Sequence, residues 1–169
     1  IIDIKALDKK FNYKISLNKD FIEYSPLALK YLDQILKKII KNKGGLLIID
    51  YGYFNEKMKD TLQSIYNKKF SNVLENIGKS DITYNINFHF FNKLIKKYNS
   101  LDTVFAPQGN FLTNLGIKQR AEIICRNKSF KEKADIFYRL NRLIHENEMG
   151  KLFKVMLIKN TNNKFQLGF

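Results

Sequence analysis

A chain of 169 residues with 44% hydrophobic content is long enough for one domain with a sizeable core and too short for two of ordinary size. Its single cysteine, Cys125, excludes an internal disulfide and a multi-thiolate metal site, and no stretch approaches the roughly 18 consecutive apolar residues that cross a bilayer as a helix. The formal charge of +14 invites a nucleic-acid partner, but only Arg120, Arg126, Arg139 and Arg142 of the 30 basic residues are arginine, so the charge is read first as a matter of solubility.

Ile1 to Leu7 and Phe11 to Leu17 alternate apolar with polar residues around the short polar Asp8-Lys9-Lys10, which predicts a β-hairpin over residues 1–20. The chain opens without methionine inside this alternating run, and we expect polypeptide to precede it. Ser25-Pro26 then offers an N-cap with proline at the first helical position. Ala28, Leu32, Ile35, Leu36 and Ile39 recur at helical spacing up to Gly44.

Leu46-Leu47-Ile48-Ile49, bounded by glycines, predicts a strand covered on both faces of a central sheet. From Asp60 to Thr83 the chain reads as a long connection without regular structure, a kind that is functional or disordered. Asn87 is a candidate cap for a helix with Phe88, Phe91, Leu94, Ile95 and Tyr98 on one stripe, and Leu101 to Phe105 reads as a further strand. Gln108 to Leu115 predicts a short helix closed by Gly116, followed by a basic helix towards Arg126. Ser129 with Glu132 makes a capping box at the start of another helix, and Leu152 to Ile158 is the last strand. Helix and strand alternate, as in an α/β fold, with too few strands to wrap a doubly covered sheet.

The chemistry-bearing residues cluster at the end of the glycine-bounded strand. In open α/β sheets the carboxyl ends of strands face the ligand crevice. There Asp50 can accept hydrogen bonds from a cationic substrate or simply cap the turn, Tyr51 can stack or donate, and Gly52 permits close backbone approach. Asp60, Glu75 and Asp81 in the following connection could pair to hold a guanidinium or an ammonium, or the region could be explained by helix capping from Asp81 or Thr83. His89 and His145 lack metal-ligand spacing, and no Walker loop, Gly-x-Ser-x-Gly elbow or Gly-x-Gly-x-x-Gly fingerprint occurs.

Taken in order, the pieces are Gly44-Gly45-Leu46-Leu47-Ile48-Ile49-Asp50-Tyr51-Gly52-Tyr53, Asp60-Thr61-Leu62-Gln63, Phe70 with Leu74-Glu75-Asn76 and Gly78, and Asp81-Ile82-Thr83. Gln108-Gly109 with Phe111-Leu112, Leu115-Gly116-Ile117, and Glu148-Met149-Gly150 with Leu152-Phe153-Lys154-Val155 follow. This succession resembles the MidA family of S-adenosylmethionine-dependent methyltransferases, and Ile22-Glu23-Tyr24-Ser25-Pro26 looks like that family's approach to its helix.

The resemblance implies a Rossmann-like class I sheet, with Leu46–Ile49, Leu101–Phe105 and Leu152–Ile158 as the fifth, sixth and seventh strands, the last antiparallel. Residues 1–20 would be the remainder of an accessory insertion, and residues 21–169 the C-terminal half of a methyltransferase domain. The cofactor would be S-adenosylmethionine, with its main binding loop upstream of Ile1. The activity would be methylation of a protein arginine, on a respiratory complex I subunit during assembly, in the mitochondrial matrix or a bacterial-type cytoplasm.

Asp50, Tyr51 and Asp81 would then be catalytic, and Gly52, Thr83, Gln108 and Gly109 would contact substrate. Asn85 and Asn87 stand where the family often has histidine or aspartate, which preserves a helix cap but not a charge contact. The isolated chain is expected to associate with itself or with the missing half through an open sheet edge. Two alternatives stay open, a basic nucleic-acid-binding module and a non-catalytic scaffold that keeps the methyltransferase fold.

Overall fold

The computed structural model describes residues 4–17 and 21–169, and the apolar run after Gly44 becomes the spine of its main sheet. β1 (Gly45–Tyr53) pairs antiparallel with β7 (Phe153–Asn160) along Gly45 to Tyr51, and β7 pairs antiparallel with β6 (Leu101–Pro107). β5 (Ile86–Asn87) adds a short parallel pairing at Gly52 and Tyr53, giving the order β5-β1-β7-β6. Because β7 runs against both neighbours, β1 and β6 are parallel and their carboxyl ends share one edge. The register sets Asp50, Lys154 and Pro107 in a row there.

Alternation along the strands sends Leu46 and Ile48, Met156 and Ile158, and Phe105 to one face. That face packs on Leu32, Leu36 and Ile39 of α2 (Pro26–Asn42) and on Phe88 and Ile95 of α3 (Phe88–Ile95). Each fully buried large apolar side chain there contributes about 1.5–3 kcal/mol. The helices begin where the sequence signals them. Ser25 accepts from the Ala28 N–H at 3.2 Å with Pro26 in the first turn, and Asn87 accepts from the Phe90 N–H at 3.1 Å.

The opposite face carries Val155 and Ala106 under Phe111 of α4 (Gln108–Asn114), with Leu112 and Phe169 beside them. α5 (Ile117–Cys125), α6 (Phe130–Ile144) and α7 (Met149–Leu152) complete this side, and the Ser129–Glu132 capping box at the start of α6 forms in both directions. The cover does not reach all of β1. Leu47 and Ile49 are 45% and 48% exposed, so the expected strand covered on both faces is covered on one.

Two further expectations are corrected. Ile4–Phe11 is a helix, α1, followed by a 3-10 turn at Ile15–Leu17, rather than the first part of a hairpin; residues 1–3 and 18–20 lie outside the described residues. Ile4, Leu7 and Phe11 also fit helical spacing, and burying Phe11 and Ile15 against Met58 and Phe90 favours that period over the alternating one. The connection after β1 is not irregular either. β2 (Gln63–Tyr66), β3 (Lys69–Ser71) and β4 (Asp81–Thr83) form a separate antiparallel sheet in the order β3-β2-β4. The tight β2–β3 turn places Asn67 and Lys68 at φ 50° and 63°, the left-handed pair that two-residue hairpins require.

Candidate functional site

At the shared carboxyl edge Asp50 is half-buried, and its Oδ1 accepts the Tyr51 N–H at 2.8 Å. Tyr51 meets Phe153 edge to face, with ring centroids 5.6 Å apart. Beyond them Phe54 packs on Phe105 at 4.5 Å and on the ring of His89 at 5.3 Å, closing this end of the sheet with aromatic surface. Burial, with Lys93 second, holds the His89 imidazole below its ordinary pKa, so near pH 7 it is neutral.

The remaining residues singled out from the sequence separate into different surroundings. Gly52 has no room for a ligand on its Cβ side: a Cβ there would lie 2.3 Å from the Ile86 carbonyl oxygen and 2.8 Å from the Phe88 ring. Gln108 is buried and donates from Nε2 to the Leu143 carbonyl at 2.9 Å, and a Cβ at Gly109 would lie 2.4 Å from the Ile144 carbonyl oxygen. Those two residues lock α4 against the end of α6. Asp81 is exposed on β4, opposite Ile65 in the small sheet, whereas Asp50 belongs to the main one. Thr83 is half-buried, with its hydroxyl shielded and unpartnered among the described residues.

A second set of residues, unforeseen as a unit, surrounds the chain's passage into α2. The Thr61 hydroxyl donates to Glu23 Oε2 at 2.5 Å, and the Thr61 N–H donates to Glu23 Oε1 at 3.4 Å. The same hydroxyl accepts the Asn85 N–H at 2.8 Å. Glu23 is thus held from both oxygens by one residue that is itself anchored. Beside it opens a cavity of about 340 Å³ lined by Phe21, Ile22, Glu23, Tyr24, Asp60, Leu62 and Tyr84. Burial raises the Tyr84 pKa, a hydrogen bond with the Ser25 side chain opposes this, and the charges of Glu23 and Asp50 raise it further. Tyr84 therefore lies within electrostatic reach of both the cavity and the strand-end turn. The one sequence signal for this site was the pair of motifs carrying Glu23 and Asp60-Thr61, which nothing in the linear order joins.

Comparison with known proteins follows the same elements. The family model described as "Putative S-adenosyl-L-methionine-dependent methyltransferase" matches residues 3–106. The mitochondrial protein arginine methyltransferase NDUFAF7 of Xenopus tropicalis is 29% identical over 138 residues, covering 80% of this chain and 31% of that protein. Its human counterpart is 25% identical over 137 residues, covering 80% and 30%. The chain therefore spans roughly a third of the length of these curated relatives.

Among solved structures, an uncharacterized protein from Burkholderia thailandensis aligns at a TM-score of 0.69 and 22% identity, over 80% of this chain and 38% of the other. A second Burkholderia thailandensis structure, of a superfamily member bound to S-adenosyl-homocysteine, aligns at 0.63 and 21%, over 81% and 38%. The likeness is one of fold, and in this chain that fold is a mixed α/β sheet with β7 antiparallel to its neighbours.

Proposed function

The chain belongs to the S-adenosyl-L-methionine-dependent methyltransferase family whose model it matches, and from that premise we propose that it forms the acceptor side of an enzyme that methylates arginine in a protein. The observation that carries this reading is that the anchored Glu23 and Tyr84 line one cavity, and that the Tyr84-Asn85 segment leads into β5 beside Gly52, two residues past Asp50 at the carboxyl end of β1, within the matched segment. Carboxylates so held can orient a guanidinium and tolerate its charge, which is the acceptor-side work of methyl transfer to nitrogen.

S-adenosylmethionine is the cofactor of the family, but neither Gly52 nor the start of α4 leaves room to cradle it. The backbone approach at Gly52 is filled by Ile86 and Phe88, and the first residues of α4 are packed against α6 and α7. In this reading residues 21–169 are the C-terminal half of the methyltransferase domain, and the cofactor's contacts come from polypeptide outside this chain. The acceptor named by the family resemblance is an arginine of a respiratory complex I subunit. The curated relatives are mitochondrial, which makes the mitochondrial matrix the compartment proposed here.

The test is methyl transfer by the full natural polypeptide carrying this chain, supplied with isotopically labelled S-adenosylmethionine and a mitochondrial protein fraction, with modified residues located by mass spectrometry. Labelled methyl groups on arginine side chains are expected. Label confined to lysine, to carboxylates or to nucleic acid, or no transfer by a polypeptide that binds the cofactor, would overturn the reading.

A further inference from the structure

Resting on the acceptor-side reading above, we propose that the cavity walled by Glu23, Asp60, Phe21, Tyr24 and Tyr84 seats the guanidinium of the substrate arginine, with Glu23 as its fixed carboxylate partner. The chain carries 30 lysines and arginines and a charge of +14, yet among the described residues no lysine or arginine lines this cavity. Among the described residues neither Glu23 nor Asp60 is ion-paired, although other carboxylates of the chain, such as Asp33, Glu132 and Asp135, are. Two carboxylates with no ion-pair partner among the described residues, in a concavity of a basic protein, form a local negative potential that a cation relieves.

The geometry selects the kind of cation. Thr61 uses one lone pair on each Glu23 oxygen, from its N–H and its hydroxyl, and the hydroxyl is fixed in turn by the Asn85 N–H. A carboxylate has about four acceptor positions, so both oxygens of Glu23 keep capacity for a two-pronged donor. Guanidinium presents such a planar fork, whereas an ammonium presents a point charge. Phe21, Tyr24 and Tyr84 in the same wall are aromatic, the side-chain type on which a flat cation stacks. Leu62 and Ile22 supply apolar surface for its methylene stem.

Three chain segments build this wall, around Glu23, Asp60-Thr61 and Tyr84-Asn85, and the last leads directly into β5 beside Gly52. Tyr84 lines the seat and lies two residues before Ile86, which pairs with Gly52, so the seat is joined to the strand-end edge by a short stretch of chain.

Calorimetric titration of the full natural polypeptide with an N-acetylated arginine amide, and with its lysine and citrulline counterparts, reads the seat without any methyl transfer. Arginine should bind, citrulline should not, and lysine should bind about tenfold more weakly, since it loses the fork. Glu23→Gln and Asp60→Asn should each weaken arginine binding about tenfold or more, with S-adenosyl-homocysteine affinity unchanged. Thr61→Ala, which frees Glu23 without removing it, should weaken binding less, and Thr61→Ser should restore it, which keeps the test open if Glu23→Gln folds poorly.

Equal binding of arginine and citrulline, no arginine binding at all, or full arginine affinity in folded Glu23→Gln protein overturns the seat. Methyl transfer to arginine with kinetics untouched by Glu23→Gln removes the seat and leaves the proposed function standing. Glu23-dependent arginine binding by a polypeptide that transfers no methyl group does the reverse.

Discussion

Gly52 is where a substrate-contact reading and a packing reading make opposite demands, so Gly52→Ala separates them. A methyl group there would stand 2.3 Å from the Ile86 carbonyl oxygen and 2.8 Å from Phe88, where ordinary contacts lie at 3.4–4 Å. The Ile86 backbone would have to retreat by about 1 Å, and β5 is held to β1 only by the Gly52–Ile86 and Tyr53–Asn87 pairings. Phe88 is 0% exposed and cannot swing away without opening the core between α2, α3 and the sheet. Overpacking of this kind costs about 1–3 kcal/mol, and loss of the β5 pairing adds to it. At about 2–4 °C per kcal/mol for a chain of this size, the melting temperature should fall by roughly 5–10 °C. The control is Gly44→Ala, where nothing lies within 4 Å of the added carbon. Thermal unfolding of both variants followed by circular dichroism is the assay. A Gly52→Ala protein that melts within about 1 °C of the control would show free space at Gly52 and return it to the list of ligand contacts.

Gln108→Ala should lower stability by about 1–3 kcal/mol, because it leaves the Leu143 carbonyl without its buried donor, while leaving the Michaelis constant for an arginine substrate unchanged; a rise in that constant at unchanged stability would reinstate Gln108 at the acceptor. Ile49→Lys should reduce self-association of the 169-residue chain in sedimentation velocity, since Ile49 lies on the open face of β1, and unchanged association would show that another surface is used. Tyr98 donates its hydroxyl proton to Asp33, which pushes its pKa up to about 12 from the ordinary 10.0. The Lys37 and Tyr98 side chains hold the Asp33 carboxyl below its usual range. The phenol's contribution is whole below pH 10.0 and is lost as pH rises through about 12, while the carboxylate's is whole above its ordinary value and is lost as pH falls below it. Tyrosinate absorbance should show one late-titrating phenol near 12 that disappears in Tyr98→Phe, and an unchanged titration in that variant refutes the assignment.

The parts of the fold that were legible carry strong local signals. The run Leu46–Ile49 needs a sheet, Ser25-Pro26 fixes where α2 begins, and Ser129 with Glu132 fixes where α6 begins. What escaped depends on partners distant in sequence. Ile4, Leu7 and Phe11 satisfy two periods, and only Met58 and Phe90 decide between them. β2 and β4 are short, and their pairing skips over β3, so no contiguous pattern announces them. The site divides in the same way. The strand-end turn at Asp50 was visible because glycines and apolar residues frame it, but what fills the space beside Gly52, Gln108 and Gly109 comes from Ile86, Leu143 and Ile144. Glu23 owes its fixed orientation to Thr61, 38 residues away, and no spacing rule reaches that far.

β1 connects these observations. Natural edge strands are blunted by lysine, proline or a bulge, yet Leu46 to Ile49 carries none of these. From Gly45 to Tyr51 that edge has no neighbouring strand among the described residues. Leu47 and Ile49 are exposed on the adjoining face, so an edge and a face are open on the same segment. β5 already occupies the carboxyl tip of that edge at Gly52 and Tyr53 and runs parallel to β1. Anything that pairs further along must therefore stop at Tyr51, one residue past Asp50. A strand added there parallel to β1 would end beside the Asp50 turn, next to the place where Tyr84-Asn85 leads into β5. The surface of the main sheet that most needs covering for stability is thus also the one that ends at the carboxyl edge, where open α/β sheets bind their ligands.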